Sequence, residues 1–181
     1  LLRSAIPPRV ASVDKELSVT QTPTQSKSGV KVRAFQSFRP FIASDQQITE
    51  IIDGFIKSGS VLIVAPDEKD VDRLISTLSD KFQHVLRLSS SSTREERYRN
   101  FLLAMRLQSS IVVGTRSAVF APVNNLAAII IYKESSPDHF DLRSPGWNSS
   151  TIARMRSELE GIGLVFTGFT PSVRVAYEID R

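Results

Sequence analysis

Four short runs that are apolar at nearly every position constrain this chain more than any other feature: VLIVA (61–65), IVV (111–113), AIIIY (128–132) and LVFT (164–167), with HVLRL (84–88) a further candidate strand. A strand with one wet face alternates apolar and polar residues, so an uninterrupted run belongs to a strand covered on both faces. Between the runs lie segments whose apolar residues recur at helical spacing. Strand and helix in alternation imply crossover connections and a mostly parallel sheet with helices on both sides, a three-layer α/β domain. In such sheets function gathers where the strands end. Those ends are Ala65-Pro66-Asp67, Gly114-Thr115-Arg116-Ser117, Lys133-Glu134-Ser135-Ser136 and Thr167-Gly168-Phe169-Thr170-Pro171.

The helices carry their own signals. Ser44 and Gln47 have the spacing of a capping box, followed by Ile48, Ile51, Ile52, Phe55 and Ile56 up to Gly59. Asp67 opens a helix with Val71, Leu74, Ile75, Leu78 and Phe82 on one side. Thr93 and Glu96 repeat the capping pattern ahead of Tyr98, Phe101, Leu102 and Met105, and TIARMRSELEG (151–161) is a further helix. Residues 1–31 are rich in Pro, Ser, Thr and Gln without sustained periodicity. They read as a flexible linker or the tail of a preceding domain, so that 32–181 is one domain and the chain a fragment of a longer protein.

Composition excludes some chemistry. With no cysteine there are no disulfides or thiolate zinc sites, and His84 and His139 are the two histidines. Asp138 and Asp141 flank His139, but neighbours on one loop rarely converge on an ion. No apolar stretch has the length of a bilayer span, so no membrane partner is expected and the expected location is cytoplasmic. The net charge of +4 sits in the first 44 residues, where seven basic residues face Asp14 and Glu16; the remainder is at −1. Arg94, Arg97, Arg99 and Arg106 make one helix basic. This reads either as a solvated face balanced by Glu95 and Glu96 or as a backbone-contact strip beside Arg116. Trp147, in RSPGWNSS, reads as a local hydrophobic anchor, with stacking on a base as the alternative.

Taken together, the loops and above all GTRSAVFAP (114–122) resemble the first motor lobe, a RecA-like (P-loop NTPase-like) domain, of the PriA family of replication-restart helicases, a superfamily 2 group. The likeness runs from about Val32 to Tyr177. It implies that Pro66, Asp67 and Gly114, Thr115, Arg116 and Ser117 touch a single-strand DNA backbone. It also implies that Gly168, Thr170 and Pro171 couple a nucleotide site to DNA. A glycine permits close approach to a phosphate, a threonine donates a hydroxyl and an arginine forks onto the oxygens.

The nucleotide chemistry of the family is not legible. Its phosphate loop falls near PFIAS, at Ile42, Ala43 and Ser44, where there is neither glycine nor lysine. Its acidic magnesium motif falls at Tyr132-Lys133-Glu134-Ser135, with a lysine where a cation wants a carboxylate and Glu134 expected to be solvated or lysine-paired. Phe169 departs from the small residue of the coupling motif. The pattern resembles the degenerate, actinobacterial-type branch of the family, supported by AFQSFRP (34–40) and ERYRNFLLAMR (96–106). The resemblance implies DNA at stalled or branched forks, primosome components and single-strand-binding proteins as partners. It implies no cofactor in this chain, the family's ATP and magnesium being lost and its zinc lying in a region outside these residues. Two rivals remain open: an active ATP-dependent lobe with a divergent site, and a protein-interaction module without DNA contact.

Overall fold

A computed structural model of the chain describes residues 6–17 and 32–179. Six strands form one sheet in which every pairing is parallel: β1 (Arg33–Ser37), β2 (Ser60–Val64), β3 (Val85–Leu88), β4 (Ile111–Gly114), β5 (Leu126–Ile131) and β8 (Gly163–Gly168). Their spatial order is β1-β8-β5-β2-β4-β3. The two-residue strands β6 (Phe140–Asp141) and β7 (Trp147–Asn148) make a separate antiparallel hairpin. The helices are α1 (Ala11–Glu16), α2 (Ser44–Phe55), α3 (Glu68–Ser79), α4 (Arg94–Arg106), α5 (Ser149–Glu160) and α6 (Val173–Ile179), with 3₁₀ turns at Arg116–Phe120 and Pro137–His139.

The three-layer expectation holds, and the period-2 geometry of a strand explains how continuous apolar runs serve it. Along β2, Val61 and Ile63 point into the layer of α2 and α3, where Ile48, Ile52, Val71 and Leu74 close over them. Leu62 and Val64 point the other way, toward Phe101, Ala104 and Ala153 of α4 and α5. The predicted helix faces are the buried ones: Val71, Leu74 and Leu78 have no exposed surface.

Sequence reading missed β1. Its residues, Arg-Ala-Phe-Gln-Ser, lie at the sheet edge and are half-buried or exposed, so the apolar run that marks the inner strands is absent. It also missed α1, which falls inside the segment expected to be a flexible linker and buries Val13 completely; the rest of that segment, 1–5 and 18–31, lies outside the described residues. The capping box at Ser44 does not form. Ala43 is the N-cap, the Ser44 hydroxyl turns instead to the Tyr132 hydroxyl at 2.5 Å, and the Gln47 amide reaches back to Arg39 and Ile42. The second box does form its cap, Thr93 Oγ1 accepting from the Glu96 amide at 3.2 Å. Gly161, in the left-handed region at φ 69°, ends α5 where it was expected to.

Candidate nucleic-acid interface and a closed nucleotide end

The strand ends divide into two neighbourhoods. The first belongs to β1, β8 and β5 and gathers the positions that the resemblance assigns to nucleotide. The Phe38 amide donates to the Gly168 carbonyl at 2.8 Å, and the Glu134 amide to the Thr167 carbonyl at 2.8 Å, tying the three ends together. Into this junction go aromatic rings. Phe38, almost fully buried, packs against Tyr132 and against Phe169, with ring centroids 5.6 Å apart in each pair. Tyr132 is buried too, and burial pushes its phenol up to about 12. The loop from Arg39 to Ala43 folds over Gln47, whose side chain accepts from the Arg39 amide at 2.7 Å and donates to the carbonyls of Arg39 and Ile42. One backbone amide of this loop, that of Arg39, is thus turned to a glutamine of the chain itself.

The carboxylates at this end are committed as well. Lys133, in the left-handed region at φ 53°, turns its ammonium onto both oxygens of Asp70, at 2.6 and 2.9 Å. Asp70 is buried in the first turn of α3. Glu134, expected to be solvated or lysine-paired, is neither. It is buried and accepts from the Ser172 amide at 3.1 Å and the Ser172 hydroxyl at 3.0 Å, just ahead of α6. A magnesium site needs carboxylate oxygens turned outward and a cation kept away; this donor set does not fit one. Among the described residues no group of three or more His, Asp or Glu is placed to hold a metal. Thr170 and Pro171 continue the β8 end toward Ser172, and Ser37 Oγ donates to the Phe169 carbonyl at 3.1 Å.

The second neighbourhood belongs to β2, β3 and β4 and is open. A cleft of about 540 Å³ runs across their carboxyl ends, floored by Pro66, Asp67, Thr115, Arg116 and Ser117. The structure therefore brings the two sequence-predicted DNA loops to one surface. Gly114 is where β4 turns into this floor, and its lack of a side chain serves packing: a Cβ there would stand 2.2 Å from the Leu88 carbonyl and 2.6 Å from the Ala118 Cβ. What approaches this glycine is the chain's own backbone.

Arg116 lies half-buried in the wall, and its Nη1 donates to the carbonyls of Asp138, at 2.8 Å, and Phe140, at 3.3 Å. The guanidinium is thereby fixed against the segment that leads into the β6–β7 hairpin. His139 fixes the same segment from inside. Tyr132's carbonyl can only accept, so Nε2 carries the proton at 2.9 Å, and Nδ1 accepts from the Ser149 hydroxyl at 2.7 Å. Burial holds His139 below its ordinary pKa, so the ring is neutral and structural.

Three further residues line the cleft: Arg97, which the sequence offers as part of a backbone-contact strip beside Arg116, and Arg143 and Ser90, which were not legible as site residues. Arg143 reaches the cleft from the hairpin with its side chain 80% exposed while Asp141, 8% exposed, grips it through both oxygens at 3.0 and 2.7 Å. That pairing holds the Asp141 carboxyl far below the usual carboxylate range, the hydrogen bonds from Arg143 being the main cause. Arg97 of α4 enters from the opposite side, and Ser90 from the loop after β3. Their distance from one another along the chain leaves no local pattern to read. Trp147 also lines the cleft, packed edge-on against Phe120 at 5.0 Å, which is the hydrophobic anchor expected of it. Three arginines here face Asp67, Glu68 and Asp141, each already engaged. Asp67 accepts from the Asp70 amide to start α3, Glu68 accepts from Ser90 and Ser91, and Asp141 holds Arg143.

The basic face of α4 is balanced in part as expected, Arg99 standing 3.6 Å from Glu95, but it also meets the segment that precedes the sheet. Arg94, Arg99 and Arg106 all bond to residues 9–17.

Known proteins resemble the chain in two ways. In sequence it is similar to a protein of Mycobacterium tuberculosis named probable replication restart protein PriA, 31% identical over 113 residues, or 61% of this chain. It is similar to replication restart protein PriA of Thermotoga maritima at 26% over 71% of the chain, and to that of Bacillus subtilis at 23% over 77%. The chain spans a fifth or less of the length of these relatives. No family model matches the sequence. In structure, the C-terminal domain of the DEAD-box protein Dbp5 superposes with a TM-score of 0.58 at 14% identity, covering 84% of each chain. A Saccharomyces cerevisiae Dbp5 C-terminal domain bound to Gle1 and IP6 gives 0.57 at 12%, over 83% of this chain and 82% of that one. The structural likenesses establish a RecA-like fold.

Proposed function

We propose that this chain, a relative of the replication restart proteins PriA, is the first RecA-like lobe of a replication restart protein that acts by binding and scaffolding, without nucleotide hydrolysis. Its substrate is the sugar-phosphate backbone of single-stranded DNA at stalled or branched forks, held in the cleft across β2, β3 and β4, while primosome components and single-strand-binding proteins assemble around it. The observation that carries this reading is the contrast between the two ends of the sheet. Phe38 and Tyr132 fill one, with Phe169 exposed over Phe38, and Lys133 and Ser172 occupy its carboxylates. The other keeps Thr115, Arg116 and Ser117 around an open cleft.

The cleft chemistry suits a phosphodiester. Arg116 is held by backbone carbonyls before any ligand arrives, so little side-chain entropy is lost on contact. Hydroxyls of Thr115 and Ser117 supply neutral donors, and Arg143 adds a cation from the hairpin. The formal neutrality of the cleft makes a single lobe a modest binder, since affinity grows with the number of phosphates neutralised.

The test is a salt series on a fluorescent forked oligonucleotide, with and without ATP and magnesium. Arg116→Ala is expected to weaken binding roughly tenfold and to lower the salt slope by about one. ATP with magnesium is expected to leave affinity unchanged and to yield no phosphate. DNA-dependent, magnesium-dependent turnover would refute the reading in favour of an active motor. A second reading, a protein-interaction module without DNA contact, is favoured by the bonds Arg116 makes to Asp138 and Phe140; it prevails if Arg116→Ala changes neither affinity nor slope.

A further inference from the structure

Residues 6–17 cross the outer face of the domain from the cleft to the far end of α4. Pro8 stands at the lip of the cleft. From there the segment runs antiparallel to nothing in the sheet; it lies on α4 alone, through polar contacts made almost entirely with that helix. Arg94 donates to the Arg9 carbonyl at 3.1 Å, the Tyr98 hydroxyl to Asp14 at 2.8 Å and Arg99 to Glu16 at 2.7 Å, while Arg106 bonds the Leu17 carbonyl. Val13 is the apolar pin, with no exposed surface. The acceptors from this segment that meet the arginines are the Glu16 carboxylate and the carbonyls of Arg9 and Leu17, which flank α1.

We propose that the α4 face bearing Arg94, Arg99 and Arg106 is a second phosphodiester-contact surface, continuous with the cleft through Arg97, and that residues 6–17, of zero net charge, are a strap covering it. The proposal rests on the reading of the cleft as a DNA-backbone site and extends it. Two observations support it. The arginines project from one helix whose next basic neighbour, Arg97, lines the cleft itself, so that a strand leaving the cleft past Pro8 meets them in sequence. The strap is held by two buried apolar residues, Pro7 and Val13, and by four polar contacts with α4, of which those of Arg94 and Arg99 are exposed. Such contacts are worth little each in water, so a polyanion can displace them.

Val13→Asp separates a strap from a mere brace. The substitution puts a carboxylate at a position with no exposed surface, so it undocks α1, and it also makes the chain more negative, which by itself weakens binding to DNA. Binding of the full chain to a fluorescent oligothymidylate is measured across a salt series, with circular dichroism confirming that the sheet domain stays folded. Asp14→Asn with Glu16→Gln serves as a milder second variant. Glu50→Gln with Asp53→Asn, on α2 across the sheet, serves as its charge-matched control.

The expected result is at least about fivefold tighter binding for Val13→Asp and a salt slope steeper by about two, from three uncovered arginines at about 0.7 each. The milder variant should exceed its control, and Arg99→Ala with Arg106→Ala should abolish the gain. Unchanged or weaker binding by folded Val13→Asp overturns the strap, and if the parent still depends on Arg116 the cleft reading survives alone. A gain in Val13→Asp that is indifferent to Arg116→Ala supports the α4 surface and refutes the cleft. Absence of binding by parent and variants overturns both.

Discussion

His139 shows how a single buried side chain sets the shape of the cleft without taking part in it. Its two hydrogen bonds join the end of β5 to the first residue of α5, and the turn it sits on presents the carbonyls that hold Arg116. Because burial depresses its pKa from 6.5, the unfolded chain takes up the proton more readily than the native one below that value. Stability is therefore complete above about pH 6.5 and falls as the pH drops below it, by up to about 1.4 kcal/mol per unit from this group. Urea midpoints measured between neutral and mildly acid pH should show this slope in the parent and a shallower one in His139→Gln. Gly114 makes a sharper case. With Leu88 and Ala118 closer than any Cβ tolerates, Gly114→Ala should cost at least about 3 kcal/mol in urea unfolding, whatever it does to DNA. A glycine in a GTR loop is legible in sequence, but its reason is not, because Leu88 is a neighbour only through the pairing of β3 with β4.

At the scale of elements, Glu134 is the clearest test of what the β5 end is for. Its bonds to the Ser172 amide and hydroxyl satisfy donors at the start of a helix of seven residues. Glu134→Ala should cost about 1–2 kcal/mol, with the loss of hydrogen-exchange protection concentrated in 172–179 and no change in any response to magnesium. The inner strands and the amphipathic helices were legible because burial on two faces, or on one, writes a period into the sequence. What escaped lacks that writing. β1 is an edge strand with exposed polar residues, α1 is one and a half turns with a single buried valine, and the β6–β7 hairpin has two residues a side. Ser44 and Gln47 carried the spacing of a cap, but Tyr132 and the Arg39 backbone, both remote in sequence, offered those side chains better partners.

For the whole molecule, the seam between β5 and β2 separates the closed end from the open one. The grouping of loops by resemblance anticipated that division, whereas the means of closure did not follow from any one motif. Lys133 illustrates the coupling. Restoring the acidic residue of the family by Lys133→Asp would set two carboxylates against each other over α3 and leave Asp70 buried without its ammonium. The expected outcome is a loss of roughly 2 kcal/mol or more, moderated by the partial exposure of Lys133, and no appearance of nucleotide binding in a fluorescent-ATP titration.

The three rings at that end have an evolutionary corollary. Phe38 and Tyr132 are buried against each other while Phe169 lies exposed over Phe38, so truncating either buried ring leaves a void at a cost of about 3–5 kcal/mol, and truncating Phe169 costs less. A path toward a working phosphate pocket would have to cross several such destabilised intermediates before a glycine-rich loop, a lysine and a pair of carboxylates were all in place. On the proposed reading of a lobe without nucleotide hydrolysis, the cluster would work as a ratchet: selection that maintains its stability would also keep it from gaining nucleotide chemistry one substitution at a time.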